Sequence, residues 1–145
     1  MPRIKLLTIL ASLPLLFGNL AFAAAGDDIQ VVDAKVRIVP TVSTTTGAFM
    51  KLYNPGNEEQ LLVGASTSAA RSVELHTHVH DKGVMRMRRI PHIQLPPHSD
   101  VSLKKGGLHL MIFGLKQPLK AGDKIELELE FADGSRKTIE AEASK

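Results

Sequence analysis

Lys124-Ile125-Glu126-Leu127-Glu128-Leu129-Glu130-Phe131 decides the fold class. Ile125, Leu127, Leu129 and Phe131 fall on one side of an extended backbone, and Lys124, Glu126, Glu128 and Glu130 on the other. Successive strand side chains point to opposite faces, so this strict period of two marks a half-buried antiparallel strand. Asp133-Gly134 follows as a turn pair and leads into Lys137–Ala143, which predicts a terminal hairpin.

Outward from this hairpin the same grammar repeats. Candidate strands run over Ile29–Val39, Gly47–Tyr53, Gln60–Gly64, Arg71–Val79, Val84–Ile90, Ser99–Lys104 and Leu108–Phe113. Turn residues separate them: Asn54-Pro55-Gly56-Asn57, Asp81-Lys82-Gly83, Pro96-Pro97, Gly106-Gly107 and Ala121-Gly122-Asp123. Short strands with such punctuation, and no long helical stretch, predict one all-β domain, a sandwich or barrel.

The N-terminus reads differently. A basic start (Arg3, Lys5), an apolar run from Leu6 to Phe17 and the small-residue site Ala21-Phe22-Ala23 form a secretory signal peptide over residues 1–23. Cleavage is expected after Ala23 or Ala25, leaving a domain over 26–145. The apolar run is short for a bilayer span of roughly 20 residues, so no membrane span is expected after cleavage.

The remaining chain carries sixteen basic against fifteen acidic residues, interleaved, which gives no clustered basic surface for nucleic acid. There is no cysteine. That excludes thiol redox exchange, cysteine nucleophiles, cysteine-ligated zinc, the cysteine-ligated blue-copper site and attachment of a lipid to cysteine.

Chemistry concentrates in one region. All six histidines (His76, His78, His80, His92, His98 and His109) fall between residues 76 and 109, and Met85, Met87 and Met111 lie in or beside that stretch. On the strand Arg71–Val79 and its continuation, Val73, Leu75, Thr77 and Val79 suit a core, while Glu74, His76, His78 and His80 share the other face. His109 and Met111 share the face opposite Leu108, Leu110 and Ile112. A hairpin through Asp81-Lys82-Gly83 would bring Met85 and Met87 to the histidine strand. A three-residue loop sets Met87 opposite Thr77, on the wrong face. One more loop residue, or a bulge at Gly83, is the arrangement expected to set it opposite His78, because a one-residue slip reverses every side chain. Imidazole suits copper and zinc alike, but thioether sulfur is soft and selects Cu(I). Outside the cytoplasm thiolates would oxidise to disulfides, whereas thioethers form none.

On these residues the chain resembles the PCuAC-type periplasmic copper chaperones. Their signature is a histidine, ten residues, a methionine, twenty-one residues, then His-X-Met. His76, Met87 and His109-Leu110-Met111 match all four positions and all three spacings. The surrounding Val73-Glu74-Leu75-His76, Gly83-Val84-Met85-Arg86-Met87 and Leu119-Lys120-Ala121-Gly122-Asp123 are similar too. The resemblance implies a Greek-key β-sandwich of cupredoxin- or immunoglobulin-like type, with one Cu(I) held by His76, Met87, His109 and Met111. It also implies a non-enzymatic, monomeric carrier in the periplasm. Its partner would be a copper acceptor in cytochrome c oxidase assembly, either the oxidase copper-site subunit or a thiol-based assembly factor. The alternative is a copper or zinc buffer without a specific acceptor. Some relatives bind a second copper in a His/Met-rich tail; this chain ends Glu140-Ala141-Glu142-Ala143-Ser144-Lys145, so no tail site is expected. Whether His78 and His80 offer a Cu(II) site is left open by the residues. Glu74 is a candidate acceptor behind a ligand histidine, and Arg86, Arg88, Arg89, Lys104 and Lys105 are candidates for a docking face.

Overall fold

The structure, a computed structural model, describes residues 24–145; the expected signal segment 1–23 lies outside the described residues. A single helical turn, α1 (Ala25–Asp28), precedes ten strands: β1 (Gln30–Arg37), β2 (Thr46–Asn54), β3 (Gln60–Ser66), β4 (Ala70–Asp81), β5 (Val84–Arg89), β6 (Ile93–Leu95), β7 (Ser99–Leu103), β8 (His109–Leu115), β9 (Lys124–Phe131) and β10 (Arg136–Ser144).

The strands join in the order β5-β4-β8-β2-β1-β10-β9-β3-β6, with β7 also on β2. A pairing of β3 with β4 at Ala65↔Val73 closes the path. The result is an all-β, barrel- or sandwich-like body whose ring runs β4-β8-β2-β1-β10-β9-β3. Every pairing is antiparallel except β1 with β10, which is parallel at Lys35↔Glu142. Closure removes the free edges of the ring, and β5 is left as an outer edge strand on β4.

The period-two stretch behaves as its pattern demands. Ile125, Leu127, Leu129 and Phe131 are all buried, while Lys124 and Glu126 are exposed. The hairpin to β10 has the expected turn at Gly134 (φ 84°) and pairs Leu129 with Lys137 and Ile125 with Ala141. Inward residues of other strands complete one core, including Leu52, Leu62, Leu75, Leu110 and Ile112. Burying each such leucine contributes roughly 1.5–3 kcal/mol, and together they fix which face of β4 and β8 turns outward.

Two elements have no counterpart in the sequence reading. β6 is only three residues long and sits between Pro91 and Pro96, too short to display a period. α1 is held by specific contacts: Ala25 N–H donates to Asp133 Oδ2 at 2.8 Å and Gly26 N–H to Ser135 Oγ at 2.8 Å. Ala25, which one of the two expected cleavage points would remove, is fully buried.

Candidate metal centre

The site is built on the β5-β4-β8-β2 side of the body. Its register begins at the turn between β4 and β5. Asp81 pairs with Val84, so the loop is the two residues Lys82-Gly83, not three or four. Both have positive φ, 49° and 79°, the signature of a type I′ turn whose twist matches the flanking strands. One residue fewer in the loop, rather than one more, therefore sets Met87 opposite His78 and Met85 opposite His80. The expected facing holds, but by a different turn.

On the other side of β4, His76 pairs directly with His109 and Glu74 with Met111. Gly47 of β2 pairs with Met111. Glu74, His76, His78, Met87, His109 and Met111 are thereby gathered on one sheet face, although they are spread over nearly forty residues of chain.

That face is not a solvated polar surface. His109 is only 3% exposed. The rings of His78, His76 and Phe49 lie 5.2, 5.8 and 6.2 Å from its ring, and Phe113 lies 5.9 Å from His76. Phe49 is placed where β2 passes from β8 to β7: Ala48 pairs with Leu110, and Met50 with Leu103. The aromatic rings shield the imidazoles, which strengthens any interaction made there.

Each inner histidine has a defined free nitrogen. The loop before β8 is tied by Lys104 N–H to Leu108 O at 2.8 Å and Gly107 N–H to Lys104 O at 3.0 Å. This aims the Gly107 carbonyl at His109, whose Nδ1–H donates to it at 2.9 Å. Nε2 of His109 is then the lone-pair nitrogen. Burial holds the His109 pKa below the usual histidine value, against the Gly107 hydrogen bond, and the nearby His78 and His76 act in the same direction as burial, since a proton on His109 would face theirs. The neutral ring is the metal-binding form.

His76 has the opposite arrangement. Its Nε2–H donates to Glu74 Oε2 at 2.8 Å, and Arg89 lies 3.6 Å from the other carboxylate oxygen. The His76 bond, with the Arg89 charge, keeps Glu74 below the ordinary glutamate pKa despite some desolvation. Nδ1 of His76 is buried with no hydrogen-bond partner. A buried acceptor without a partner is costly, and a cation is one group that would relieve it. A carboxylate behind an imidazole, leaving the second nitrogen free, is the usual support of a metal-ligating histidine.

A cavity of about 330 Å³ opens on this cluster, walled by Phe49, His78, Met87, Lys105, His109 and Met111 among others. Three of the four residues singled out by spacing (Met87, His109 and Met111) thus share one cavity. His76 is packed beside it, against the His109 ring. His78, read from sequence as one residue of a polar face, takes part of the wall. A larger concavity of about 520 Å³ adjoins it across Arg37, Phe49 and Lys105. Its walls carry no histidine, so donor chemistry rather than size marks the site. His92 and His98 are elsewhere: both are exposed, and His98 bonds Asn57 at 2.7 Å. Among the described residues no three His, Cys, Asp or Glu side chains form a ready cation cage. Phe49 and Gly107 were missed by the sequence reading; the Gly106-Gly107 turn ahead of His109 was the only hint of the latter.

The LpqE-like family model, which bears the name of a lipoprotein, matches residues 29–143. This chain has no cysteine to carry a lipid. Lxx21020 of Leifsonia xyli subsp. xyli is 39% identical over 114 residues, covering 78% of this chain and 68% of that protein. DR1885 of Deinococcus radiodurans has a Cu(I)-bound solution structure that is 34% identical, with a TM-score of 0.61, covering 79% of this chain and 74% of that one. Its apo form is 30% identical with a TM-score of 0.64, covering 100% and 97%. The copper-bound PCuAC domain from PmoF2 is 24% identical with a TM-score of 0.69, covering 83% and 96%, and shares the fold. With its model matched across the whole described barrel, the chain belongs to the LpqE-like family, and its fold is that of the PCuAC domains.

Proposed function

We propose that the protein is a periplasmic Cu(I) chaperone. His76, Met87, His109 and Met111 hold one copper, which is passed to a cuproprotein acceptor in cytochrome c oxidase assembly. The carrying observation is the pairing of soft donors with two inner histidines that each keep one nitrogen free, Nδ1 of His76 and Nε2 of His109. The Cu(I)-bound state of DR1885 supports the choice of metal and oxidation state.

In this reading each residue has a physical role. Glu74 and Gly107 fix the two imidazole tautomers. Met87 and Met111 supply neutral sulfur that discriminates against zinc and calcium. Phe49 and Phe113 exclude water. Four neutral donors leave the ion's single charge uncompensated, so a thiolate-bearing acceptor would withdraw it readily. The role is carriage, not catalysis, and the Greek-key, cupredoxin-like description of the barrel belongs to the same reading; the parallel pairing of first and last strands supports it.

The reading also includes export. A signal peptide over 1–23 cut after Ala23 leaves Ala25 in place to donate to Asp133, which favours that point over a cut after Ala25. Among the described residues no helix is long and apolar enough to cross a membrane.

The test is Cu(I) titration against a chromogenic chelator, for the wild type and for Met87→Ala with Met111→Ala. One tight equivalent, strongly weakened in the double variant, is expected. Weak binding indifferent to the substitutions rejects the reading.

A further inference from the structure

The β4–β5 hairpin carries a second imidazole–thioether pair beyond the inner cluster. His80 of β4 pairs directly with Met85 of β5, as His78 pairs with Met87. Alternation along each strand puts both pairs on the same face, one rung apart, roughly 6.5–7 Å along the strand. Cross-strand partners have Cβ atoms about 4.5–5.5 Å apart, so an imidazole and a flexible thioether there can converge on one ion.

Their surroundings offer no structural reason for either residue. His80 is exposed and makes no side-chain hydrogen bond among the described residues; Met85 is 49% exposed on an edge strand whose six residues all face solvent. Methionine in a core fills gaps, as Met50 does at 3% exposure. Met85 fills none, and its exposure costs apolar hydration.

We propose that His80 and Met85 form an outer, weaker Cu(I) site through which the ion enters and leaves the inner cluster by way of His78 and Met87. A neutral imidazole with a neutral thioether is enough for Cu(I), which accepts low coordination numbers, and the thioether makes the pair a poor set for zinc or calcium. Transfer is ligand exchange: a bond to Met87 sulfur forms as the bond to Met85 sulfur breaks, and imidazole follows imidazole. Copper stays Cu(I) throughout, and no proton or electron is exchanged. The outer rung is what a docked acceptor or donor reaches first, because β5 is an edge strand, paired only with β4 among the described residues. The relay rests on the inner site being a Cu(I) site; the outer site does not.

Ag(I), a redox-stable stand-in for Cu(I), titrated into the protein and followed by NMR of the methionine methyl groups, reads both sites separately. The first equivalent is expected at Met87 and Met111, and the second at Met85. His80→Gln with Met85→Leu should abolish the second shift and leave inner-site affinity unchanged. It should slow release of Cu(I) to a dithiol chelator by about tenfold, a barrier increase of ~1.4 kcal/mol. A Met85 methyl that stays unmoved through two equivalents overturns the outer site. Wild-type release from the double variant overturns the relay. Failure of the inner-site reading shows instead at Met87 and Met111.

Discussion

His78 stands directly across from Met87, and the turn that sets this pairing is Lys82-Gly83. Both turn residues hold positive φ, which a side chain resists. Gly83→Val places a β-branched residue at φ 79° and should cost about 1–3 kcal/mol. Because the turn sets the register, Cu(I) affinity should fall along with the denaturation midpoint. Lys82→Asn, better suited to a left-handed position, should leave affinity intact and raise the midpoint slightly. Urea unfolding and Cu(I) competition on both variants check this.

The strand pattern was legible because core-facing residues repeat with period two, as in β9, where expected and observed limits coincide. The hairpin register was not: the turn residues suggested a loop of three, or of one more with a bulge at Gly83 as its equivalent, whereas the turn has two, and each one-residue change reverses the face of Met87. Spacing picked out His76, Met87, His109 and Met111. It could not show that His78 walls the cavity, since its position depends on how β4 meets β8 and the 104–108 loop. Nor could it show that His92 and His98 stand apart, because proximity in sequence says nothing of which strand edge a residue reaches.

Methionines separate structure from site. Met50 is 3% exposed and Met87 is 50% exposed. Met50→Ala opens a cavity in the core and should destabilise by about 2–5 kcal/mol. Met87→Ala should change apo stability by no more than about 0.5 kcal/mol yet weaken Cu(I) binding. Equal losses of stability in the two variants would contradict the placement of Met87 outside the core.

Acid should weaken the apo protein in two separate windows. Burial lowers the His109 pKa in the folded state, so the unfolded chain binds the proton first, near pH ~6.5. Stability from the neutral ring is fully present above that pH and is lost as pH falls toward the lowered folded value. Asp133, held down by the Ala25 amide and by Ser135, keeps its contribution until pH falls below the ordinary carboxylate range. His109→Asn should flatten only the upper window, and Asp133→Asn should reduce only the lower one, to which Glu74 also contributes, in unfolding free energies measured from neutral to strongly acidic pH.

Gly26 is fixed by close approach rather than by turn geometry. A Cβ at this position would lie 2.5 Å from the Arg136 carbonyl oxygen and 2.9 Å from its carbon, both backbone atoms of β10. Neither can move without disturbing the pairing of β10 with β9. Gly26→Ala should therefore destabilise by about 1–3 kcal/mol, or release α1 from the barrel. Amide exchange distinguishes the two outcomes, since release exposes the Ala25 and Gly26 amides while β10 stays protected.

Glu74 acts on the site without pointing at its cavity. Its carboxylate accepts from His76 Nε2–H at 2.8 Å, which makes Nδ1 the lone-pair nitrogen and holds the ring against rotation. Glu74→Ala removes that restraint, and the ring can then turn its Nε2 or its protonated nitrogen toward the metal. Loss of such a partner typically weakens metal binding by 10–100-fold, so Cu(I) affinity should drop by about that factor. Glu74→Gln keeps a carbonyl acceptor at the same reach and should retain most of the affinity. If Glu74 served only as a partner for Arg89, 3.6 Å away, Gln and Ala would behave alike, because neither carries the charge. Cu(I) competition with both variants, alongside the nitrogen chemical shifts of the His76 ring, separates positioning from simple ion pairing.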